Sequence, residues 1–243
     1  MKTFYEDLAT WWPLISPVGD YASEGAEIAR MLRDRAPGAA RVLELGCGGG
    51  HLAYHVRGDY DYVLSDLSPA MLALAEGLNP GCRCVVGDMR TLRLAERFDL
   101  VIIHDAIDYM VTESDLRAAF LTAHHHLRPG GVALFMPDCF SESFVPGTDI
   151  SGGDQPDGRG ARLFEWAEPP GPDGSVAVHY SFLLRSADGS VQSVYERHVV
   201  GLFPQTTWER LLAEVGFSVE AVPEHTDEDR PPRTFLLGKR GSA

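Results

Sequence analysis

The sequence predicts an α/β fold in which a largely parallel sheet carries an antiparallel β insertion after its fifth strand. Three observations lead to this prediction. Apolar strand patterns alternate with helical patterns as far as residue 138. A glycine-rich loop joins the first strand to the next helix, and after residue 138 a turn-rich segment leads into a hairpin pattern. Because parallel strands are joined by right-handed helical crossovers, the alternation indicates a sheet covered on both faces.

The composition is that of an acidic folded chain of 243 residues, 44% apolar, with a formal net charge of −14. We expect a single domain over 1–243, with an N-terminal lid over about 1–22 and the insertion over about 160–203. The chain has no basic stripe, so neither nucleic acid nor a membrane surface is expected as a partner. It also has no run of ~18 apolar residues and no signal-peptide core. We therefore expect a cytoplasmic protein, either a monomer or a homodimer.

Periodicity and helix-capping residues define the elements of the front half. Over 21–35, Ile28, Met31 and Leu32 share one face of a helix that stops before Pro37. Ser68, which proline follows, is predicted to be the N-cap of a helix over 70–78. We expect further helices at 51–56 and 114–127, and strands at 41–46, 60–66, 82–88, 98–104 and 131–138.

The rear half has a different character. Residues 141–160 are rich in Gly, Asp, Ser and Pro, which predicts a long mobile loop. Two strand patterns at 176–185 and 191–203 flank Asp188-Gly189, which predicts an antiparallel hairpin. Thr206 and Glu209 are spaced as a capping box for a helix that ends before Gly216. Two last strands are expected at 217–224 and 233–240.

The strongest local signal is the segment VLELGCGGGHL, in which a buried strand runs into a glycine loop. Glycines there let a ligand approach the backbone closely at a helix N-terminus, where free N–H groups are available. The dinucleotide fingerprint G-x-G-x-x-G, started at Gly46 and Gly48, requires a third glycine where this chain has His51. A nicotinamide-dependent oxidoreductase is therefore an alternative that the loop opposes.

The pattern present is instead E-x-G-x-G-x-G from Glu44, and here the chain resembles the class I S-adenosylmethionine-dependent methyltransferases. The resemblance covers residues 37–138 most strongly. It implies a Rossmann-like sheet of seven strands and S-adenosyl-L-methionine as cofactor, with S-adenosyl-L-homocysteine as product. The implied cofactor-binding residues are Tyr5, Tyr21, Glu44, Gly46, Gly48, Asp66, Leu67, Asp88, Met89 and His104.

Within that set the residues have different implied roles. Asp66 ends the second strand, where a carboxylate can accept the ribose hydroxyls; the same placement would serve NAD. Asp88 and Met89, in the segment GDMR, match the motif that contacts adenine. The aromatic lid candidates Tyr5, Trp11, Trp12 and Tyr21 have the alternative of packing the first helix onto the sheet.

The fourth strand, LVII, ends in His104, Asp105, Asp108 and Tyr109. Ligands of open α/β sheets bind beyond the carboxyl ends of the strands, so this polar group is predicted to lie in the mouth of the active site. We predict that Asp105 and Tyr109 face the substrate and are catalytic, together with His104, and that Asp108 contacts the substrate. Capping of the following helix is the alternative role for Asp105 or Asp108.

More narrowly, the chain resembles amino-sugar N-methyltransferases of antibiotic biosynthesis. The similar segments are an early Y…DY, SESFVPG after the fifth strand, the antiparallel insertion and HVVGLFPQTTWERLLAEVGF. Those enzymes tend to carry histidine where this chain has Tyr109. The insertion is expected to roof the substrate pocket, and Arg162, Trp166, His179, Tyr195 and His198 are possible lining residues. Because half of any strand faces away, a scaffold role is the alternative for each.

These patterns predict methyl transfer to a nitrogen or oxygen nucleophile of a small molecule, such as a natural-product or amino-sugar-like metabolite. A cofactor-binding protein without catalysis remains a second alternative. We predict no metal site, because the three histidines at 124–126 point about 100° apart on a helix and cannot converge on one ion.

Overall fold

The computed structural model describes residues 3–58, 60–226 and 232–242. Its strands are Arg41–Leu45 (β1), Asp61–Asp66 (β2), Arg83–Val86 (β3), Phe98–Ile103 (β4), Leu127–Phe135 (β5), Gly147–Ser151 (β6), Gly160–Ala167 (β7), Ser175–Arg185 (β8), Val191–Gly201 (β9), Phe217–Pro223 (β10) and Thr234–Arg240 (β11). Its α-helices are Trp12–Ile15 (α1), Ala22–Arg35 (α2), His51–Val56 (α3), Pro69–Leu78 (α4), Glu113–His126 (α5) and Gln205–Val215 (α6). Within the described ranges, no helix is both long enough and apolar enough to cross a bilayer.

The main sheet has seven strands in the order β10-β11-β5-β4-β1-β2-β3. Strands β1 to β5 pair in parallel, and β11 lies antiparallel to both β5 and β10. The predicted α/β class, the seven strands and the Rossmann-like, parallel-dominated sheet are therefore confirmed. Strands β1 and β4 are neighbours, so the glycine loop and the polar end of β4 lie side by side.

Apolar clusters cover both faces of the sheet. On one side Leu43 packs in a cluster that includes Phe120 of α5 and Trp208 of α6. On the other side Val42 packs in a cluster that includes Ile28 of α2. Side chains alternate across a strand, so consecutive apolar residues of β1 reach opposite faces, and a continuous apolar run is what a doubly covered strand needs.

Helix capping agrees with the sequence for α4 but not for α6. The Ser68 hydroxyl accepts a hydrogen bond from the Met71 N–H at 3.1 Å, as predicted. The predicted capping box of α6 is wrong, because its N-cap is Pro204 and no side chain of the helix caps it. Instead the carboxylate of Glu142, from the preceding loop, accepts the N–H of Gln205 at 3.2 Å.

Two boundaries also differ from the sequence prediction. The predicted mobile loop over 141–160 contains strand β6, which pairs antiparallel with β7, so the insertion sheet starts at Gly147. Turn-forming residues dominate the composition there, and a short edge strand is hidden among them. Helix α5 passes directly into β5 at Leu127, whereas the sequence predicted a helix as far as 127 and a strand starting at 131.

The insertion is a four-stranded antiparallel sheet in the order β6-β7-β8-β9, and the predicted hairpin is its β8–β9 pair. One face of this sheet packs on the N-terminal segment, with the ring centroids of Phe4 and Phe182 4.6 Å apart. The opposite face carries Phe164, Trp166 and Tyr195, each 47% or more exposed. We call the packed side the inner face and the other side the outer face. The inner face holds the N-terminal segment in place over the main sheet.

Deletion of the Phe182 side chain should destabilise the fold. Phe182 is fully buried against Phe4 on the inner face, so Phe182→Ala should lower the free energy of unfolding by about 3–5 kcal/mol through lost burial and a cavity. Phe164→Ala, on the outer face of the same sheet, is the matched control and should cost less than about 1 kcal/mol. Urea unfolding followed by circular dichroism measures both. Equal losses would contradict the assignment of the two faces.

Candidate active site

A cavity of about 770 Å³ opens at the carboxyl ends of β1, β2 and β4. The glycine loop forms one wall and the N-terminal segment another. Leu163, Glu165 and Tyr180 of the insertion reach it from above. Its volume is that of a small-molecule pocket. It lies where the strand order reverses between β1 and β4, which is the usual binding place in such sheets.

The glycine loop needs glycine at its first position for two separate reasons. Gly46 has φ of 72°, in the left-handed region, and its N–H donates to the carbonyl of Ser65 at 2.7 Å. A Cβ built at Gly46 would stand 2.6 Å from Ala106 Cβ and 2.7 Å from the terminal methyl of Met89. Gly48 is also left-handed, with φ of 51°. The glycine loop is therefore a backbone surface with no room for a side chain at Gly46, and we call it the glycine cradle.

The carboxylate of Asp66 is fixed at the rim of this cradle. It accepts the N–H groups of Gly48 and Ser68, each at 2.8 Å, and it lines the cavity beside Leu67. Burial raises the pKa of Asp66, against the lowering effect of these two backbone hydrogen bonds. Asp66 and the loop thus offer a positioned acceptor next to an accessible backbone, which fits a ribose-bearing ligand.

Asp88 and Met89 reach the same cavity from the end of β3. The Asp88 carboxylate forms an ion pair with Arg90 at 2.7 Å, and hydrogen bonds from Arg90 lower its pKa. Arg90 also pairs with Asp115 at 2.9 Å. Asp88 is therefore an ionised acceptor, and the Met89 side chain lies against the glycine loop, as the implied adenine contact would require.

Glu44 and His51 lie beneath and beside the loop. Glu44 is 1% exposed and accepts the Tyr62 hydroxyl at 2.8 Å; burial raises its pKa to about 7. His51 occupies the third-glycine position of the dinucleotide fingerprint, and its Nδ1 accepts the Trp12 indole N–H at 3.1 Å. Burial lowers the pKa of His51 to about 4, so its ring is neutral.

The N-terminal segment supplies aromatic side chains to the cavity, as the lid prediction required. Tyr5, Trp12 and Tyr21 line it, whereas Trp11 is not among the lining residues. The Ser68 hydroxyl donates to the Tyr5 carbonyl at 2.5 Å, which ties the lid to the start of α4. The lid is thus fixed next to Asp66 by a direct hydrogen bond.

A partly buried ion cluster forms the floor beside β4, and we call it the Arg233 cluster. Arg233 pairs with Asp105 and with Asp138, each at 2.8 Å, and with Glu24 at 3.3 Å. His104 Nε2 lies 3.1 Å from both Glu24 and Asp105. The sequence analysis missed Arg233, and no local pattern marks it, since it meets Asp105 only through the pairing of the last strand.

The predicted roles of His104 and Asp105 change in this setting. Burial alone would lower the pKa of His104, but the carboxylates of Asp105 and Glu24 outweigh it and raise the pKa to about 9. The ring is then cationic at neutral pH and cannot accept a proton. Asp105 lines the cavity, but its carboxylate is held by Arg233. Both residues are at the predicted place, and His104 is not a base there.

Asp108 is also at the cavity wall, and it does not cap a helix. It accepts the N–H of Asp138 at 2.9 Å, and burial, reinforced by the charge of Asp138, raises its pKa well above the usual range. Helix α5 is capped by the Thr112 hydroxyl, which accepts the Asp115 N–H at 3.0 Å. The capping alternative for Asp105 and Asp108 is therefore wrong.

Tyr109 joins the lid to the insertion. Its hydroxyl lies 2.8 Å from the Tyr5 hydroxyl and 2.8 Å from His198 Nδ1. Burial raises the pKa values of both tyrosines well above their ordinary value, so both phenols are neutral. His198 is fully buried behind Tyr109 and does not line the cavity itself. Its predicted substrate contact is corrected to a contact with Tyr109.

The four other predicted lining residues, Arg162, Trp166, His179 and Tyr195, are on the outer face of the insertion. Arg162 pairs with Asp154 at 2.6 Å, His179 bonds Tyr195 at 2.6 Å, and Trp166 is 62% exposed. None of the four lines the cavity. The scaffold alternative therefore holds for these residues, because packing against the N-terminal segment decides which face of each strand is inward; strand β7 itself was not predicted.

Among the residues that face the cavity from the insertion are Glu165 and Tyr180, which pair with each other across β7 and β8. Burial raises the pKa of Glu165 to about 7, with further contributions from the charges of Asp138 and Asp149. Period-2 alternation could have found both residues, had the inner face been known. Together with Asp108 and Asp138 they form what we call the acceptor chamber.

Comparisons with known proteins agree with this geometry. Residues 42–131 match the family model described as a methyltransferase domain. The dTDP-3-amino-3,6-dideoxy-α-D-glucopyranose N,N-dimethyltransferase of Streptomyces fradiae is 31% identical over 206 residues, which cover 84% of this chain and 80% of that protein.

Solved structures are similar along almost the whole chain. The sugar N-methyltransferase of Streptoalloteichus has a TM-score of 0.79 at 28% identity, and the match covers 97% of this chain and 92% of that one. The amino pentose methyltransferase of Micromonospora echinaspora, solved with S-adenosylmethionine bound, has a TM-score of 0.75 at 28% identity, covering 90% and 91%.

His104→Asn should destabilise the protein in a pH-dependent way. The folded-state pKa of His104, about 9, lies above the value of ~6.5 for an unfolded chain, so protonation stabilises the folded state. The contribution, up to about 3 kcal/mol, is fully present below pH ~6.5 and is lost as the pH rises through 9. The difference in unfolding free energy between wild type and variant should therefore shrink between pH 6.5 and pH 9.5.

Urea unfolding at a series of pH values measures this difference. Glu24→Gln removes one of the carboxylates that raise the pKa of His104. In a Glu24→Gln protein, the stabilisation by His104 should therefore disappear at a lower pH. A difference between wild type and His104→Asn that stays constant over the whole range would refute a cationic His104.

Proposed function

The chain belongs to the S-adenosylmethionine-dependent methyltransferase family, and we propose that it methylates the amine of a sugar-like small molecule. One observation carries the proposal: a single cavity connects the glycine cradle and Asp66 with a chamber lined by Asp108, Asp138 and Glu165. Carboxylates favour a cationic acceptor, and an amine at neutral pH is protonated and positively charged. The amino-sugar N,N-dimethyltransferase of Streptomyces fradiae supports the same acceptor class.

The residues that would hold the cofactor lie on one side of the cavity. S-Adenosylmethionine, when bound, supplies an electrophilic methyl group on a positively charged sulfur. The glycine loop would let it approach the backbone, and Asp66 would accept the ribose hydroxyls. Asp88 would accept the exocyclic amine of adenine, while Met89 and Leu67 would pack against the base. Tyr5 and Tyr21 would close the site from the lid.

The acceptor chamber would orient the amine. Glu165 faces the cavity from β7, and Asp138 raises its pKa by charge repulsion. An ammonium group between them would relieve that repulsion, which binds the acceptor and favours the ionised carboxylate. Holding the nitrogen at a fixed position next to the cofactor side of the cavity is the main contribution these residues make, because methyl transfer gains most from proximity and orientation.

The proposal that nitrogen is the nucleophile can be tested with pairs of sugars that differ only in carrying an amine or a hydroxyl group. The wild-type enzyme, with S-adenosylmethionine, should methylate dTDP-3-amino-3,6-dideoxy-glucose or another member of a panel of amino sugars. The counterpart with a hydroxyl in place of the amine should stay unmodified. Mass spectrometry detects each added methyl group. Glu165→Gln should raise KM for the amine by about tenfold, a value expected for the loss of one charged hydrogen-bond partner.

Methylation of the hydroxyl counterparts with none of the amines would contradict the proposal. Glu168→Gln, just beyond the end of β7 and bound to His179 on the outer side, is the control for Glu165→Gln. It should leave KM unchanged, because it does not line the cavity.

Asp66→Ala should weaken cofactor binding. Loss of the ribose acceptor, and of the hydrogen bonds that shape the loop, should raise the Kd for S-adenosylmethionine at least about tenfold, or ~1.4 kcal/mol. Calorimetric titration measures this directly. Asp61→Ala, at the exposed start of the same strand and paired with Arg41, is the control and should bind normally. Unchanged affinity of Asp66→Ala would remove Asp66 from the site. Binding of NADH or NADPH to the wild type would instead favour an oxidoreductase.

Other sequence predictions stay predictions. They are the single domain over 1–243, the cytoplasmic location, the monomeric or homodimeric state and the absence of a nucleic-acid partner. The small-molecule acceptor is the partner that the relatives support.

A further inference from the structure

A series of close polar contacts runs from the cavity wall into the insertion sheet. The Tyr109 hydroxyl, at the cavity, lies 2.8 Å from His198 Nδ1. On the far side of the ring, His198 Nε2 lies 3.5 Å from Glu196 Oε2. The same carboxylate oxygen accepts the N–H of Phe4 at 2.8 Å. The Tyr5 hydroxyl completes the chain at the cavity end, 2.8 Å from Tyr109.

The acceptor at the buried end gives this chain a direction. The Glu196 carboxylate lies nearest to Nε2 and attracts a proton on that nitrogen, so it favours the His198 tautomer that carries its proton on Nε2. Nδ1 then presents a lone pair, and the Tyr109 hydroxyl donates to it. With that donor used, the Tyr109 oxygen can accept one hydrogen bond from Tyr5 and another from a ligand in the cavity. Every donor therefore points away from the cavity, toward Glu196.

We propose that His198, backed by Glu196, takes up through Tyr109 the proton that the acceptor amine must lose before methylation. This role rests on the proposed function. An N–H bond of the ammonium breaks as an O–H bond forms on Tyr109, and the original O–H bond of Tyr109 breaks as an N–H bond forms at His198 Nδ1. The products are a neutral amine with a free electron pair and an imidazolium paired with Glu196. After product release the reverse shift returns the proton to water in the open cavity.

The residues around Tyr109 and His198 favour proton transfer without a negatively charged tyrosine as intermediate. Burial raises the pKa values of Tyr5 and Tyr109 well above their ordinary value, so neither stays as phenolate, and Tyr109 conducts the proton while remaining neutral. The rings that pack on His198 include those of Phe4, Tyr5, Tyr109 and Tyr180, and the Glu196 carboxylate lies beside it. Of these, Glu196 is the group that stabilises an imidazolium.

The same contacts could serve only to fasten the lid to the insertion, because Phe4 and Tyr5 belong to the lid. The two roles differ in the tautomer of His198 and in the kinetics. In a purely structural chain the proton position on His198 is of no consequence. In the relay, Nδ1 must be unprotonated at rest. His198 then acts as a positioning residue, and its loss slows turnover without weakening the binding of S-adenosylmethionine.

Nitrogen-15 NMR of histidine-labelled enzyme reads the tautomer without any acceptor. The His198 signals are assigned as those missing from His198→Gln. We expect the Nε2–H tautomer in the wild type and a shift of the Nδ1 resonance in Tyr109→Phe, where the donor is lost. Glu196→Gln should weaken the tautomer preference. A proton on Nδ1 in the wild type would overturn the relay, whatever the activity.

Measurement of kcat and of cofactor affinity in a His198 variant is the second test. With an amino sugar that the wild type methylates, His198→Gln should lower kcat at least about tenfold near pH 7 while the Kd for S-adenosylmethionine stays within about twofold. The deficit should shrink at higher pH, because the amine then arrives already neutral. His179→Gln, on the outer face of the same sheet, is the control and should keep wild-type kcat.

The outcomes separate the relay from the proposed function. Wild-type turnover of an amine with an unaffected His198→Gln variant refutes the relay alone. A wild type that binds S-adenosylmethionine but methylates no amine refutes the proposed function, and the relay with it.

Discussion

The site depends on the pairing of one buried cation. Arg233 is held between Asp105 and Asp138 at 2.8 Å each and reaches Glu24 at 3.3 Å. Loss of a partner leaves the largely buried charge of Arg233 less well compensated, which costs more than losing a surface ion pair. The cluster fastens helix α2, the ends of β4 and β5 and the start of β11 to one point. The floor of the cavity is therefore rigid because four separate parts of the chain must bring their charges to the same place.

The same pairing divides the acidic residues of the cavity into two groups. Arg233 and a cationic His104 compensate Asp105, and burial raises the pKa of Asp108 well above its usual range. Glu165, on the other side of the cavity, has a pKa near neutrality and can respond to a ligand charge. A chain with a net charge of −14 thus does not present uniform negative potential to its ligand. Its response to an incoming ammonium is concentrated where the insertion sheet meets the main sheet.

The roof is held by a different kind of contact. Phe4 is packed on Phe182 by its ring and bound to Glu196 by its backbone N–H, so the lid and the insertion behave as one packed unit. Tyr5, the next residue, is thereby placed against Tyr109. Hydrophobic burial sets the position of the lid, and hydrogen bonds set the orientation of the phenols. Any change in the packing of the inner face would therefore also change the contacts from Tyr5 through Tyr109 to His198.

The sequence by itself determined the parts whose chemistry is local. The glycine loop, Asp66 at the end of β2, the Ser68 cap and the Asp188-Gly189 hairpin are each specified by residues within a few positions of one another, and all are where they were predicted. Only the tertiary structure decided which face of the insertion is inward: Glu165 and Tyr180 line the cavity, while Arg162, Trp166 and His179 do not. Alternation along a strand defines two faces but not which of them is buried, because the partner surface comes from the distant N-terminal segment. For the same reason Arg233, the cap of α6 by Glu142 and the burial of His198 had no local signal: each depends on a contact between residues far apart in the chain.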